Sequence, residues 1–494
     1  MTRSICVARR VPSFRLRPRA LARSTARRVR RLLLAVEFFG GLMAGVSRVR
    51  AQDVALPDAP RAITLPDALA YARLHQPAIR ASIARIAAQR EQARIPNAQW
   101  LPTIGVTAQI FAATANNTTG TYVNTDVVDV PRIGATRAVS PADSTLKPSA
   151  TTFVGAGITQ EVFDFGRIAA QTAAADALVE VKQRDAETER LDIAFNVEEA
   201  FFAVDAAKAV LLASEGAYER ARVHRELAFA GVKSGLRSPI ELTRAEADLQ
   251  RFDIGRIRAR GGVAVGQSVL AAAIGAPEAA LDTSGAPITV ADIPALGVAM
   301  QEAARRDPML RAALARLKAQ EQQTRAVGAE MRPDISATGT ISGRAGGAPP
   351  SSGTDRVEGN GFLPAVPNWD VGLVLSWPLF DGTIDARRRA SHSLEEVRRD
   401  EIDVARQNLR ANVEQAYVAV DVARSALPGL KRAADAALAN YAQADARFKA
   451  GLGTSVELAD AEALRADAEI QLAIGTFDLA KTRAALGRAI AEGL

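Results

Sequence analysis

Two spacings of apolar residues share this chain. In TIGVTAQI, Ile104, Val106, Ala108 and Ile110 fall on one face, and Thr103, Gly105, Thr107 and Gln109 on the other. Ile335, Ala337 and Ile341 oppose Asp334, Ser336, Thr338 and Thr340 in the same way. Trp369, Val371, Leu373, Leu375, Trp377 and Leu379 form a third apolar row, and FVGAGITQEV alternates less cleanly. A period of two predicts strands, and about ten residues is what a tilted strand needs to cross a bilayer. Between the strands of each pair lie polar stretches rich in Gly, Pro, Ser, Thr and Asn, the composition of exposed loops.

The second spacing is helical. Ile193, Val197, Ala200, Val204, Ala207 and Leu211 are spaced 4-3-4-3-4, and Leu409, Val413, Ala416, Val420, Ala423 and Leu427 repeat that spacing 216 residues later. Such a seam predicts coiled-coil packing. The segments around it, 167–233 and about 384–449, are nearly free of Gly and Pro, so each predicts one helix on the order of 100 Å long. Pro428-Gly429 interrupts the second, where a kink is expected.

The echo at 216 is one sign of a longer duplication. Pro77 and Pro102 correspond to Pro308 and Pro333, Phe163 to Phe380, and the Gly-Leu pair Gly235-Leu236 to Gly451-Leu452. The shift falls from 231 to 217 between Pro102 and Phe163, so the length difference lies in the loops between the strands. The organisation expected is a leader at 1–51, a first repeat at 52–292 and a second at 293–494.

Charge and cysteine use then narrow the class. Residues 1–31 hold eleven arginines and no acid, followed by the apolar run LLLAVEFFGGLMAGV and a small residue at Ala51. That order describes a secretory signal peptide; a mitochondrial presequence shares the arginines but not the compact apolar run. Removing 13 of the 62 basic and one of the 55 acidic side chains turns the net charge from +7 to −5. The basic balance belongs to the leader, and no nucleic-acid partner is implied. Cys6, the only cysteine, lies in the leader as well, which excludes disulfides and thiolate chemistry from the mature chain. No apolar run after the leader is long enough for a transmembrane helix, so any membrane span must be made of strands. Four strands cannot close a barrel alone.

Signal peptide, strand pair, very long helix, Gly-Leu turn and returning helix, all repeated once, resemble the TolC family of outer-membrane efflux proteins. ITLPDALAYARLHQPAI, WPLFDG and RFKAGLGTSVELADAEALR carry the resemblance piece by piece. It implies an α+β membrane protein with internal duplication. Three subunits would give four strands each to one 12-stranded transmembrane barrel, continued by a long α-helical coiled-coil barrel in the periplasm. It also implies a homotrimer in outer-membrane lipid, partnered by a periplasmic adaptor and an inner-membrane pump, with no cofactor and no metal. The function expected is the exit duct of a tripartite efflux or type I secretion system.

The resemblance further places Glu457, Asp460, Phe448 and Gly453 at the channel entrance, and Gly235, Leu236, Gly451 and Leu452 at tip turns where an adaptor docks. Trp100, Trp369 and Trp377 would mark the membrane interface. Glu457 and Asp460, three apart, share one helix face; carboxylates there also complement the helix dipole without any channel. In better-known members a Tyr and an Arg restrain the entrance where this chain has Phe448 and Gly453. An enzyme is not expected, since His75, His224 and His392 are scattered and no phosphate loop or metal spacing occurs. The rival reading is a periplasmic adaptor or structural coiled-coil protein without a channel.

Overall fold

The computed structural model describes residues 62–114, 148–279, 281–284, 292–346 and 366–493. The expected leader at 1–51, with Cys6 and Ala51, and most of both inter-strand loops fall outside them.

The two halves share six elements in the same order, and among the described residues the first adds two short strands. In the first, a two-residue strand β1 (Ala62–Ile63) leads to helices α1 (Leu65–His75) and α2 (Pro77–Ala98). Strands β2 (Thr103–Thr114) and β3 (Pro148–Phe163) follow, then α3 (Arg167–Lys233), α4 (Pro239–Ile274) and the short β4 (Asp282–Thr283). The second half has α5 (Leu296–Arg306), α6 (Pro308–Ala329), β5 (Asp334–Gly346), β6 (Val366–Ser376), α7 (Gly382–Lys449) and α8 (Ser455–Ala489). The matched prolines Pro77 and Pro308 open α2 and α6, where proline's missing N–H costs nothing.

Strands β2, β3, β5 and β6 form one antiparallel meander in that order. Its register aligns the alternation across the sheet. Val106 faces Ala156, which faces Ile341, which faces Trp369. One residue along, Gly105, Gly157, Thr340 and Asp370 form a row on the other face. The apolar face is bare: Ile104, Val106, Ile110, Ile341, Trp369, Val371, Leu373 and Leu375 are 61–79% exposed. The opposite face buries Thr340 and Ser342. β2 pairs only with β3, and β6 only with β5, so both outer edges keep unpaired backbone groups.

The repeated Asp of FDFG and LFDG explains the passage from strand to helix. Asp164, buried, accepts backbone N–H bonds from Gly166 and Ile168. Asp381 accepts from Thr383 at 2.7 Å and Ile384 at 3.2 Å. Each carboxylate satisfies donors that a helix start leaves unpaired.

α3 and α7 contain 67 and 68 residues, about 100 Å each. The helix of α7 runs on through Pro428. Two residues further, Leu430 points into the notch left by Gly475 on α8, where any Cβ would collide with its methyl. The seam predicted in the first half packs the waist of the molecule. Val197 and Val204 are fully buried in one cluster with Ile63, Ala68, Ala72, Leu270, Ile274 and Leu281. Val413 and Val420 take the same role in a second cluster with Ala299, Ala303 and Leu486. Toward the strands α3 packs against α2 and α6, and toward the tips against α4 and α8.

Candidate functional site

Both helical hairpins end in the same turn. Gly235 and Gly451 have φ of +72° and +74°, the left-handed conformation that closes a helix cheaply only for glycine. Leu236 N–H donates to Gly231 O and Gly235 N–H to Val232 O at 2.9 and 3.1 Å. Leu452 and Gly451 make the same pair to Arg447 and Phe448 at the same distances. This is the 6→1 and 5→2 pattern that satisfies the last carbonyls of a helix. Leu236 and Leu452, at 84% and 75% exposure, project from the two turns.

The returning helices start differently. Thr454 caps α8 by accepting from Glu457 N–H at 3.2 Å. Ser238 makes no such side-chain bond at the start of α4. Glu457 and Asp460 are exposed and belong to no ion pair among the described residues. In the first hairpin Glu241 is paired with Arg237 at 2.9 Å, while Arg244 is exposed. The two unpaired carboxylates therefore lie on one tip only.

Phe448 is 2% exposed, the largest fully buried side chain among the described residues. Its ring meets His224 of α3 edge-on at 5.0 Å between centroids. The Arg237 guanidinium lies 3.8 Å from its ring centre. Gly453 sits against the backbone of Phe448 and Arg447. The structure thus separates the four residues expected at an entrance: Glu457 and Asp460 face outward, and Phe448 is packed between hairpins. His224 and Arg237 were not singled out by motif or spacing, because they meet Phe448 only through the crossing of two hairpins. Beside them, Arg220 of α3 holds Glu462 of α8 through Nε at 2.8 and 2.9 Å, a tie between the repeats. Burial pushes the Glu462 carboxyl above its ordinary range despite that partner.

At the other end, Trp100 precedes β2 and Trp377 follows β6, both on the helical side of the sheet. Trp369 lies toward the far end of β6, eight residues from Trp377. That is about 26 Å along a strand. His75 stacks on Tyr71 and His392 lies 3.7 Å from Glu395, so the histidines stay apart. Among the described residues no helix is long and apolar enough to cross a membrane, and no group of three metal-ligating side chains converges.

The family described as "Outer membrane efflux protein" matches residues 68–276 and 299–492, one segment in each repeat. The chain belongs to the outer membrane efflux protein family. Solved structures agree in fold. The outer-membrane channel OprN superposes with a TM-score of 0.66 at 21% identity, covering 87% of this chain and 90% of that one. VceC from Vibrio cholerae gives 0.65 at 17%, with 86% and 96% covered. The Neisseria gonorrhoeae channel MtrE, solved in its open state, gives 0.66 at 20%, with 88% and 90% covered. A comparison with curated proteins finds no match. The chain is thus an outer-membrane efflux protein, of a family of transport proteins rather than enzymes.

Proposed function

We propose that three copies of this chain close one twelve-stranded barrel in outer-membrane lipid and extend it into the periplasm as a helical tunnel. The observation that carries this reading is the four-stranded meander, apolar along most of one face and unpaired along both edges. Hydrocarbon tolerates no open edge, and three meanders laid edge to edge leave none. The exposed apolar face then meets lipid, and the Thr, Gly and Asp face lines water. Trp369 and Trp377 stand toward opposite ends of the apolar row, where aromatic girdles flank the lipid-facing band.

Each subunit contributes the two repeats 52–292 and 293–494 after removal of the 1–51 leader. Its tip turns at Gly235-Leu236 and Gly451-Leu452 offer six apolar points per trimer to the hairpins of a periplasmic adaptor. An inner-membrane pump supplies the energy, and the duct itself uses no cofactor. Glu457 and Asp460, repeated three times, converge six carboxylates on the entrance.

Light scattering in detergent tests the assembly, with three chains per particle expected after subtraction of bound detergent. The same preparation in planar bilayers is expected to give discrete ion-conducting steps. A monodisperse monomer, or a soluble periplasmic fraction without detergent, rejects the reading.

A further inference from the structure

Phe448 joins parts of the chain that are distant in sequence. It comes from the end of α7, in the second hairpin, and both of its aromatic or cationic neighbours belong to the first. His224 approaches from α3 and Arg237 from the first tip turn. Arg237 is itself fixed, through Nη1 to Glu241 at 2.9 Å. Its stem folds over Gly231, where a Cβ would stand 2.6 Å from Cδ. The arrangement exists on one side only. In the other copy the positions of His224, Gly231, Phe448 and Arg237 are held by Asn440, Arg447, Val232 and Gly453.

His224 has a buried Nε2 with no hydrogen-bond partner. It lines a half-open cavity of about 240 Å³ between α3, α4, α7 and α8. The charged groups around it come from every packed element. α3 gives Glu219 and Arg220, the first turn Arg237, α4 Glu241 and Asp248, α7 Asp445 and Lys449, and α8 Glu462.

We infer that His224, Phe448 and Arg237 form a latch holding the two hairpin tips of one chain together, and that protonation of His224 releases it. A neutral imidazole packs edge-on against Phe448 with its Nε2 shut off from solvent and without a hydrogen-bond partner. An imidazolium there needs hydration, and it stands near the Arg237 cation. Asp248, Glu241 and Asp445 favour the charged form, but burial outweighs them and holds the imidazole below its ordinary value.

Separated tips would hydrate His224 and return it toward about 6.5. The separated form then binds the proton at the higher pH. Above both values the latch is unaffected, and as pH falls through about 6.5 the separated form gains, by at most tenfold per pH unit for each proton taken up. The latch rests on the channel reading for its consequence, entrance opening, but not for its existence.

Hydrogen exchange of the detergent-solubilised trimer, corrected for intrinsic rates, tests the latch directly in segments 222–238 and 444–460. From about pH 7.5 to about pH 5, exchange at both tips of the wild type is expected to rise at least fivefold. His224→Phe and His224→Gln should abolish the rise, and Phe448→Ala should show fast exchange at both pH values. A wild-type rise retained in both His224 variants overturns the proposal, as does Phe448→Ala protected like the wild type at the higher pH. Bilayer recordings separate the two readings. Tips that respond in a trimer that never conducts leave the latch standing and remove the channel, whereas a conducting trimer with unresponsive tips does the reverse.

Discussion

At the residue scale, the duplication kept its turns and exchanged its chemistry. Gly235 and Gly451 sit in the same left-handed turn with the same two hydrogen bonds. Six residues apart around that turn, the copies swap large and small: Gly231 with Arg237 in one, Arg447 with Gly453 in the other. Only one arrangement lets an arginine fold back over its own helix and reach the partner hairpin. The carboxylates differ in a comparable way, since Glu241 is neutralised by Arg237 while Glu457 and Asp460 carry no ion pair among the described residues. A ring of unpaired carboxylates favours cations and attracts divalent ions. Glu457→Gln with Asp460→Asn is therefore expected to lower cation-over-anion permeability severalfold and to weaken block by divalent cations from the periplasmic side. Unchanged reversal potentials in bilayer recordings would remove both residues from the entrance.

At the scale of elements, alternation was legible because a strand's period is two and its faces meet different surroundings. Ile104, Val106 and the row from Trp369 to Leu375 predicted the bare apolar face that the sheet presents. The boundaries of α3 were legible too, 167–233 in both sequence and structure, because a run nearly free of Gly and Pro lies between Gly166 and the Gly-Leu turn. The proline in α7 was not legible as a continuous helix. A kink is the local expectation, and only Gly475 on the neighbouring helix shows how the chain packs past it. Faces that meet different solvents should respond differently to charge. Leu373→Arg, on the apolar face and four residues from each of Trp369 and Trp377, should cost about 2–4 kcal/mol of barrel stability near mid-membrane and deplete the protein from the outer-membrane fraction. Thr107→Lys, on the polar face, should leave its amount there within about twofold. Equal depletion by both would mean that the sheet does not stand with that face in lipid.

At the scale of the whole molecule, two repeats make one body because α3 serves both. It packs on α2 and α4 of its own half and on α6 and α8 of the other. The same logic, carried beyond one chain, concerns the open edges of β2 and β6. Cys6 is the single cysteine of the chain, so any introduced pair reports cleanly once it is replaced or removed. Thr107→Cys in β2, combined in turn with single cysteines across residues 368–374 of β6, is expected to give disulfide-linked trimers on non-reducing gels at one register. Those two strands are separated by β3 and β5 within a chain, so intermolecular bands require a neighbour's edge. If no register yields them, the closed twelve-stranded barrel is wrong.

Sequence by itself determined the periodicities, the duplication, the tip turns and the single cysteine at position 6. Each of these is a local property, set by side-chain alternation, by glycine's freedom at positive φ, or by composition. The family resemblance followed from the order of those pieces. Tertiary structure decided what depends on contact between distant segments: the register that aligns Val106, Ala156, Ile341 and Trp369, and the tie from Arg220 to Glu462. It also decided the burial of Phe448 between His224 and Arg237. Those pairings span up to 242 positions of chain, and no local preference encodes which helix face will meet which.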